Sequence, residues 1–421
     1  MHAITVRAEP DPIQIARGLA DRPQLSVLWD ATGRGASYVA CDADDMAVAL
    51  DPEAGLNNNR ELGELGKVPR WIGALPYEAM RTLERPRQAA GPERRESPHL
   101  VEPVWWRYPA VIEVTDRVRV AGDREAAVRS LAAKVQNRDV AASFRLGFAE
   151  PPEPAQEHLQ RVSRALELIR QGDIYQVNLA RRFRLRFEGH SVDLLERLGR
   201  LTGAPFSALL GLGEVEMVSS SPELFIEMRP DGGVVTSPIK GTRARGSDAR
   251  KDGELAEELE RDPKERAELV MVIDVERNDL GKVCRPGSVR LLHPPRVETF
   301  ATLHHRLASI GGELRPEVTR GQLLAAMLPS GSVTGAPKIR AMEVIAELEA
   351  HRRGLYTGAF GAVAHDGGMR LAMAIRTLTL RGAEAHYFSG GGIVADSDPR
   401  REVLETEWKA SHIRALLAAG G

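Results

Sequence analysis

The stretch DIYQVNLARRFRLRF, residues 173–187, alternates apolar and polar side chains along most of its length. A period of two marks an extended chain that turns one face to a core, so this segment is expected to be a long strand in a sheet. Further on, VEMVSSSPELFIEM and GVVTSPIKGT flank RPDGG, a hairpin signal. YTGAFGAVAHD, MRLAMAIRTLTLRG and EAHYFSGGGIVAD read as later strands. Between them fall single helical patterns: EHLQRVSRALELIRQG, DPKERAELVMVIDVERNDL, GAPKIRAMEVIAELE and DPRREVLETEWKASHIRALL. In the second of these, Asp262 is the expected N-cap and Pro263 the first helical residue. Strands joined by hairpins and interrupted by single helices specify an α+β fold with antiparallel sheets.

The first 150 residues carry no compact chemical motif. LSVLWDA and ASYVACDA read as short strands, QAAGPERRESP as a polar loop and PAVIEVTDRVRVAG as a hairpin. DREAAVRSLAAKVQ reads as a helix opened by Asp123, and the proline-rich FAEPPEPAQE as a joint. Two regions are therefore expected, a variable one over 1–150 and a chemistry-bearing one over 151–421, woven into one structural unit. A net charge of -2 gives no global field for nucleic acid or an acidic membrane. Cys41 and Cys284 stand far apart without a CxxC pairing, which argues against a disulfide framework or structural zinc and suits a reducing cytoplasm. The start MHAITVRAEPDP has no apolar signal-like core, and no run reaches the length of a membrane span. The expectation is a cytoplasmic protein that binds neither nucleic acid nor membrane.

Three constellations could carry chemistry. A two-residue turn at Asp231–Gly232 would place Glu223 opposite Lys240, with Cβ atoms about 4.5–5.5 Å apart. Phe225 and Glu227 would share that face, leaving Leu224, Ile226 and Met228 for the core. This pair is either an ordinary cross-strand ion pair or an acid beside an amine nucleophile. Glu265 and Glu268 lie three apart on one helix, and Glu402 and Glu405 repeat the spacing on another, each helix opened by Asp-Pro. Four such acids suit Mg²⁺ completed by water and substrate oxygens, or else a capping glutamate and solvated neighbours. SGSVTGAPK before a helix and SGGGIVADS after a strand could cradle anions or be tight turns; neither has nucleotide-motif spacing. Arg376, in a largely apolar strand, is either a snorkelling residue or a carboxylate clamp, and His305 and Tyr356 are further polar candidates.

GDIYQVNLARR, SSSPELF, PIKGTRARG, DPKERAELVMVIDVERNDLG, GSVTGAPKIRAMEVI, AIRTL and GGGIVADSDP, in this order, resemble the chorismate-utilising enzymes. That family includes anthranilate synthase, aminodeoxychorismate synthase, isochorismate synthase and salicylate synthase. The likeness covers roughly residues 155–415 and implies two packed antiparallel sheets between helical layers. Members that add water have a lysine base where this chain has Gln176, so the resemblance implies an ammonia user. Lys240 stands in the PIxGT motif where anthranilate synthases usually have alanine, which resembles the aminodeoxychorismate synthase component I branch.

By that resemblance Lys240 is a covalent nucleophile and Glu223 the general acid. Glu268 and Glu405 are Mg²⁺ ligands, while Glu265 and Glu402 hold metal-bound water. Gln176, His305, Ser332, Tyr356, Arg376, Gly390, Gly391 and Gly392 contact chorismate. The implied enzyme is an Mg²⁺-dependent transferase that makes 4-amino-4-deoxychorismate for p-aminobenzoate and folate. Its ammonia comes from a separate glutamine amidotransferase subunit, because no glutaminase-like segment is expected in this chain, nor a fused lyase. The rival readings are anthranilate synthase component I and a catalytically silent chorismate-binding subunit.

Overall fold

The computed structural model describes residues 1–53, 60–80, 100–138, 143–150, 153–300 and 302–419. Its strands form two sheets, and among the described residues the pairings run antiparallel. The larger sheet has twelve strands, running from His2–Val6 at one edge through Ser26–Trp29, Phe206–Gly211, Glu216–Ser221, Thr377–Arg381 and Glu384–Ile393 to Gln176–Gly189. The smaller has ten, from Ile239–Ala244 through Leu303–Glu313, Gly233–Ser237, Leu224–Met228, Met369–Met373 and Ala359–Ala364 to Pro69–Leu75 and beyond. The α+β expectation holds. Strands from the first 150 residues enter both sheets: Ser26–Trp29 pairs with Phe206–Gly211, and Pro69–Leu75 with Ala359–Ala364.

The facing sides of the sheets share a dry core that includes Ala40, Ile72, Val111, Leu210, Met217 and Phe360. Helices cover the outer faces. Pro263–Gly281 packs Leu269, Ile273 and Leu280 against Phe225, Ile310 and Leu371 of the smaller sheet. Ser191–Thr202 packs Leu194, Leu195 and Leu198 against Leu209, Val218 and Leu378 of the larger.

One corner positions the site. Glu216–Ser221 and Thr377–Arg381 are neighbours in the larger sheet, with Ser219 opposite Thr377. Their continuations, Leu224–Met228 and Met369–Met373, are neighbours in the smaller sheet, with Leu224 opposite Ala372. Both chains therefore change sheets side by side, at Pro222–Glu223 and Ala374–Arg376. The Ser220 N–H donates to the Arg376 carbonyl at 3.1 Å, and the Met373 N–H to the Glu223 carbonyl at 3.0 Å. Arg376 takes a left-handed φ of 52°, uncommon for a residue with a side chain.

Several sequence expectations need correction here. MRLAMAIRTLTLRG is two strands in different sheets rather than one. The last helix is two, Pro399–Lys409 and Ser411–Ala419, separated at Ala410. The early helix Glu125–Ala132 begins after Arg124, not at Asp123, whose carboxylate instead accepts from Arg107. The RPDGG loop is one residue longer than a two-residue turn: the Arg229 N–H donates to the Gly233 carbonyl, with Gly232 at φ 88°. Met228 consequently faces Val234, and a bulge between Leu224 and Glu227 buries both Phe225 and Ile226. Helices Ser191–Thr202, Ala249–Arg261 and Arg320–Met327 escaped the sequence reading. The expected QAAGPERRESP loop and residues 151–152 of the proline-rich joint lie outside the described residues.

Candidate active site

Lys240 sits on the Ile239–Ala244 strand, which continues Gly233–Ser237 along one side of Leu303–Glu313. Its register against Leu303–Glu313 slips between Ile239, opposite Leu307, and Thr242, opposite His305. The slip is a bulge at Lys240–Gly241, where Gly241 has φ 89°. A Cβ at Gly241 would stand 2.8 Å from Leu259 Cδ1 and 3.1 Å from Glu265 Oε2, so glycine lets the strand lie against the Ala249–Arg261 and Pro263–Gly281 helices. The Lys240 side chain lines a cleft of about 790 Å³, and among the described residues it makes no ion pair. Glu223 lines the same cleft from the sheet-crossing corner.

The two residues therefore share a site, but not for the reason the hairpin suggested. Gly233–Ser237 and Ile239–Ala244 run in one register along the same side of Leu303–Glu313, and with Leu224 opposite Ser237 that register brings Glu223 to Pro238, two residues short of Lys240. What couples them is charge across the cleft and the Ile239 N–H, which donates to the Glu223 carboxylate. Glu223 is 4% exposed. Burial pushes its pKa up to about 7, despite a 2.6 Å hydrogen bond from Ser332 Oγ and the charge of Lys240.

The far end of the cleft is acidic. Asp262 accepts from the Lys264 and Glu265 N–H groups, and Asp398 from those of Arg400 and Arg401, so both Asp-Pro sequences cap their helices. The caps fix the phase of the turns that follow. Glu265, Glu268 and Glu405 line the cleft, and Glu402 lies beside them, 3% exposed. Burial raises the pKa of Glu265, Glu268 and Glu402, and repulsion among these acids adds to it. Burial acts on Glu405 too, but Lys409 at its side brings the net shift below the usual value. Lys264 stands 3.5 Å from Glu402 and 3.8 Å from Glu268. Glu402 Oε2 is buried without a hydrogen-bond partner. Crowded carboxylates, one with an orphaned oxygen, suit a divalent cation. Among the described residues, no three His, Cys, Asp or Glu side chains are gathered tightly enough to enclose a metal by themselves.

The glycine run belongs to a strand rather than following one. Asn178, Leu179 and Ala180 face Gly392, Gly391 and Gly390 across the Gln176–Gly189 pairing. The neighbour on the other side, Thr377–Arg381, pairs no further along than Tyr387, which leaves that edge beside the cleft. A Cβ on Gly391 would lie 3.1 Å from Glu405 Oε1 and 3.3 Å from Glu402 Oε2. The absent side chain is what allows the acids to rest on this strand.

Arg376, His305, Ser332, Tyr356, Gly390 and Gly392 line the cleft. Arg376 makes no ion pair among the described residues, and its charge presses on His305. His305 is held by a 2.9 Å contact from Nδ1 to Thr242 Oγ1, and burial with the Arg376 charge lowers its pKa to about 3, so it is neutral. Tyr356 stacks on Phe388 with ring centres 5.2 Å apart and lies under Arg353, which Glu349 holds in place. Gln176 is fully buried behind Gly392; a Cβ there would meet its Nε2 at 2.7 Å, and both of its amide atoms lack partners. Of the SGSVTGAPK loop, Ser332 and Val333 reach the cleft, while Lys338 at the helix start pairs with Asp279. The sequence reading missed Lys264, Lys409, Asn178, Thr242 and Tyr387, all of which line the cleft. The two lysines had a legible signal, each four residues from a carboxylate on its own helix.

A protein-family model described as "chorismate binding enzyme" matches residues 21–415. An anthranilate synthase component 1 from Thermus thermophilus is 48% identical over 263 residues, 62% of this chain and 56% of the relative. An aminodeoxychorismate synthase component 1 from Klebsiella aerogenes is 40% identical over 281 residues, 66% of this chain and 62% of the relative. The match thus spans less than two thirds of the length of either relative. The crystal structure of anthranilate synthase component I from Streptococcus pneumoniae superposes with a TM-score of 0.73 at 28% identity, covering 92% of this chain and 89% of that one. The menaquinone-specific isochorismate synthase of Escherichia coli gives a TM-score of 0.79 over 99% of this chain and 94% of that one; at 19% identity it speaks for the fold alone.

Proposed function

Because the chain belongs to the chorismate-binding enzyme family, we propose that it aminates chorismate at C4, giving 4-amino-4-deoxychorismate, the chemistry of an aminodeoxychorismate synthase component I. The observation that carries this reading is Lys240, an amine without an ion-pair partner among the described residues, aimed by a bulge into the cleft that holds Glu223. Neutral Lys240 adds to C2 of the ring while the Glu223 carboxyl gives its proton to the C4 hydroxyl, which leaves as water. Ammonia then adds at C4 and expels the lysine amine. A carboxyl with its pKa pushed up to about 7 still carries the proton this step needs near neutrality.

Glu268 and Glu405 would hold Mg²⁺, and Glu265 and Glu402 would hold water around it. The bound ion would supply a positive charge that binds the ring carboxylate and polarises the diene. Arg376 offers its guanidinium to the enolpyruvyl carboxylate. Gln176, a neutral amide, cannot deprotonate water, which favours ammonia as the nucleophile. The relatives named component 1 support a partner glutaminase as the ammonia source. The product would feed p-aminobenzoate and folate synthesis in the cytoplasm; among the described residues no helix is long and apolar enough to cross a membrane.

The test is to incubate the protein with chorismate, Mg²⁺ and an ammonium salt at alkaline pH and identify the product. The expected product becomes p-aminobenzoate on adding an aminodeoxychorismate lyase. Anthranilate without the lyase would instead support the second reading, which the 48% identity to the Thermus anthranilate synthase favours. Lys240→Ala should lose the C4 route, with residual product shifted to the 2-amino series. A mass adduct on Lys240 is expected when ammonia is withheld. Full activity in Lys240→Ala with no trappable adduct would return this lysine to an edge-strand role.

A further inference from the structure

A second buried carboxyl is wired to Glu223 from outside the cleft. Glu276, on the Pro263–Gly281 helix, is fully buried and does not line the cleft. Its Oε1 accepts from Ser330 Oγ at 2.6 Å and from the Gly331 N–H at 2.9 Å. Ser330 Oγ lies 2.9 Å from Ser332 Oγ, and Ser332 Oγ lies 2.6 Å from Glu223 Oε1. Glu223, Ser332, Ser330 and Glu276 thus form an unbroken row of oxygens through the protein interior.

Counting protons shows what the row requires. It has three oxygen–oxygen contacts, each short enough to be a hydrogen bond, and each needs one proton. The two serine hydroxyls supply two. With both carboxyls ionised, both hydroxyls would point outward and the two serine oxygens would face each other with lone pairs. A single carboxyl proton, on either acid, completes the row. On Glu223, the bonds run from Glu223 to Ser332 to Ser330 to Glu276; on Glu276, the same bonds run the other way.

We propose that Glu276 shares one proton with Glu223 through Ser330 and Ser332, so that the acid of the cleft is a two-carboxyl unit. This rests on the reading of Glu223 as the acid. In one hand-over, the Glu276 O–H breaks and its proton passes to Ser330 Oγ. The Ser330 proton passes to Ser332 Oγ, and the Ser332 proton to Glu223 Oε1. Three O–H bonds break and three form, the negative charge moves from Glu223 to Glu276, and no other reactant is needed. Glu276 touches no substrate in this scheme; it sets where the proton of Glu223 rests.

The surroundings agree. Glu276 Oε2 is buried with no hydrogen-bond partner, which is costly for an ionised carboxylate. Burial first, then the charge of Asp279 on the same helix, pushes the Glu276 pKa up to about 7, against the Ser330 bond and Lys338. Lys338, from the facing helix, is held by Asp279 at 2.9 Å, as is Lys282. Facing Glu223 are Lys240 from the edge strand and Glu276 itself, the latter raising its pKa. Two interacting carboxyls in such a setting titrate as a pair.

The test uses the full chain with 13C-labelled glutamate carboxyls, free of substrate, followed by NMR against pH, with assignments from Glu223→Gln and Glu276→Gln. Sharing predicts that both resonances move in both titration steps. In Ser330→Ala, which interrupts the row and keeps both acids, each should move in a step of its own. In Glu276→Gln, Glu223 should titrate in one step at lower pH, because a like charge has gone. Separate steps in the wild-type protein would overturn the proposal. Because no substrate is present, this outcome is independent of which product the enzyme makes. Where an aminated product does form, Ser330→Ala should lower kcat about tenfold and leave KM for chorismate within about twofold. An unchanged kcat would also overturn the hand-over.

Discussion

The two ends of the cleft are both built from buried or half-buried glutamates, yet they meet their charge in different ways. At the helix end, Glu265, Glu268, Glu402 and Glu405 crowd together with Lys264 and Lys409 among them. At the corner end, Glu223 and Glu276 lie deeper, have no lysine within ion-pair distance among the described residues, and are bridged by serine hydroxyls. At the helix end the lysines oppose burial, and at Glu405 Lys409 outweighs it, so negative charge is favoured there more than at Glu265, Glu268 or Glu402, whose pKa values burial still raises. Without such cations, burial favours the neutral acid, so the corner end keeps a proton. On the proposed reading, one residue type serves as metal ligand and as acid within a single cleft, and the partner groups decide which.

The largest expected effect that would break this contrast lies at the helix end. Glu268→Gln or Glu405→Gln should each lower Mg²⁺-dependent turnover more than about 100-fold, since loss of outer-shell partners alone costs 10–100-fold. Either change also relieves repulsion among the acids, so the metal-free protein should melt no lower than wild type while losing its Mg²⁺-induced rise in Tm. Calorimetry with and without Mg²⁺ separates the two effects. Retained activity and Mg²⁺ response in both variants would place the ion elsewhere.

At the corner end, Glu223→Gln should lower kcat by about 10²–10⁴, the usual span for a lost general acid. The pH dependence sharpens the comparison. As the proposed acid, Glu223 would work protonated, so activity should fall as pH rises through about 7. The helix end works ionised, so Mg²⁺ affinity should fall as pH drops, most plainly where Glu265, Glu268 and Glu402 hold protons more firmly than usual. A raised carboxyl pKa in the folded state also means that Glu223 stabilises the fold below its ordinary value of 4.5 and loses that contribution as pH climbs to about 7. Denaturant titrations across this window should show a shallower fall in stability for Glu223→Gln than for wild type.

The smallest expected effect concerns the caps. Asp398→Ala leaves the Arg400 and Arg401 N–H groups without their side-chain acceptor and should cost about 1 kcal/mol. Because Glu402 and Glu405 sit in the turns that follow, Mg²⁺ affinity should weaken modestly while the apparent pKa of Glu223 stays put. A shift at Glu223 of the same size would show that the ends are not separate.

Much of this molecule was legible in its residues. Alternation over 173–187 specified the long Gln176–Gly189 strand, because a side-chain period of two has few other solutions. Asp-Pro before Glu265 and again before Glu402 specified two capped helices with carboxylates three apart on one face, which are local consequences of cap chemistry and helical pitch. What the chain could not show locally was where strands change sheets. MRLAMAIRTLTLRG reads as a single strand because both halves are apolar, and the left-handed turn at Arg376 is imposed by pairing with Glu216–Ser221 on one side and Leu224–Met228 on the other. Lys240 and Glu223 were expected together through a hairpin register; they meet because a bulge and a sheet crossing aim them into one space. The row from Glu223 to Glu276 joins residues up to 109 apart in sequence, so no local period or spacing could reveal it. Residue order determined the strands, helices, caps and chemical types, all governed by near neighbours. Long-range packing decided how deeply each carboxyl is buried and which hydroxyls and charges from other elements meet it, because those depend on parts of the chain far apart in sequence.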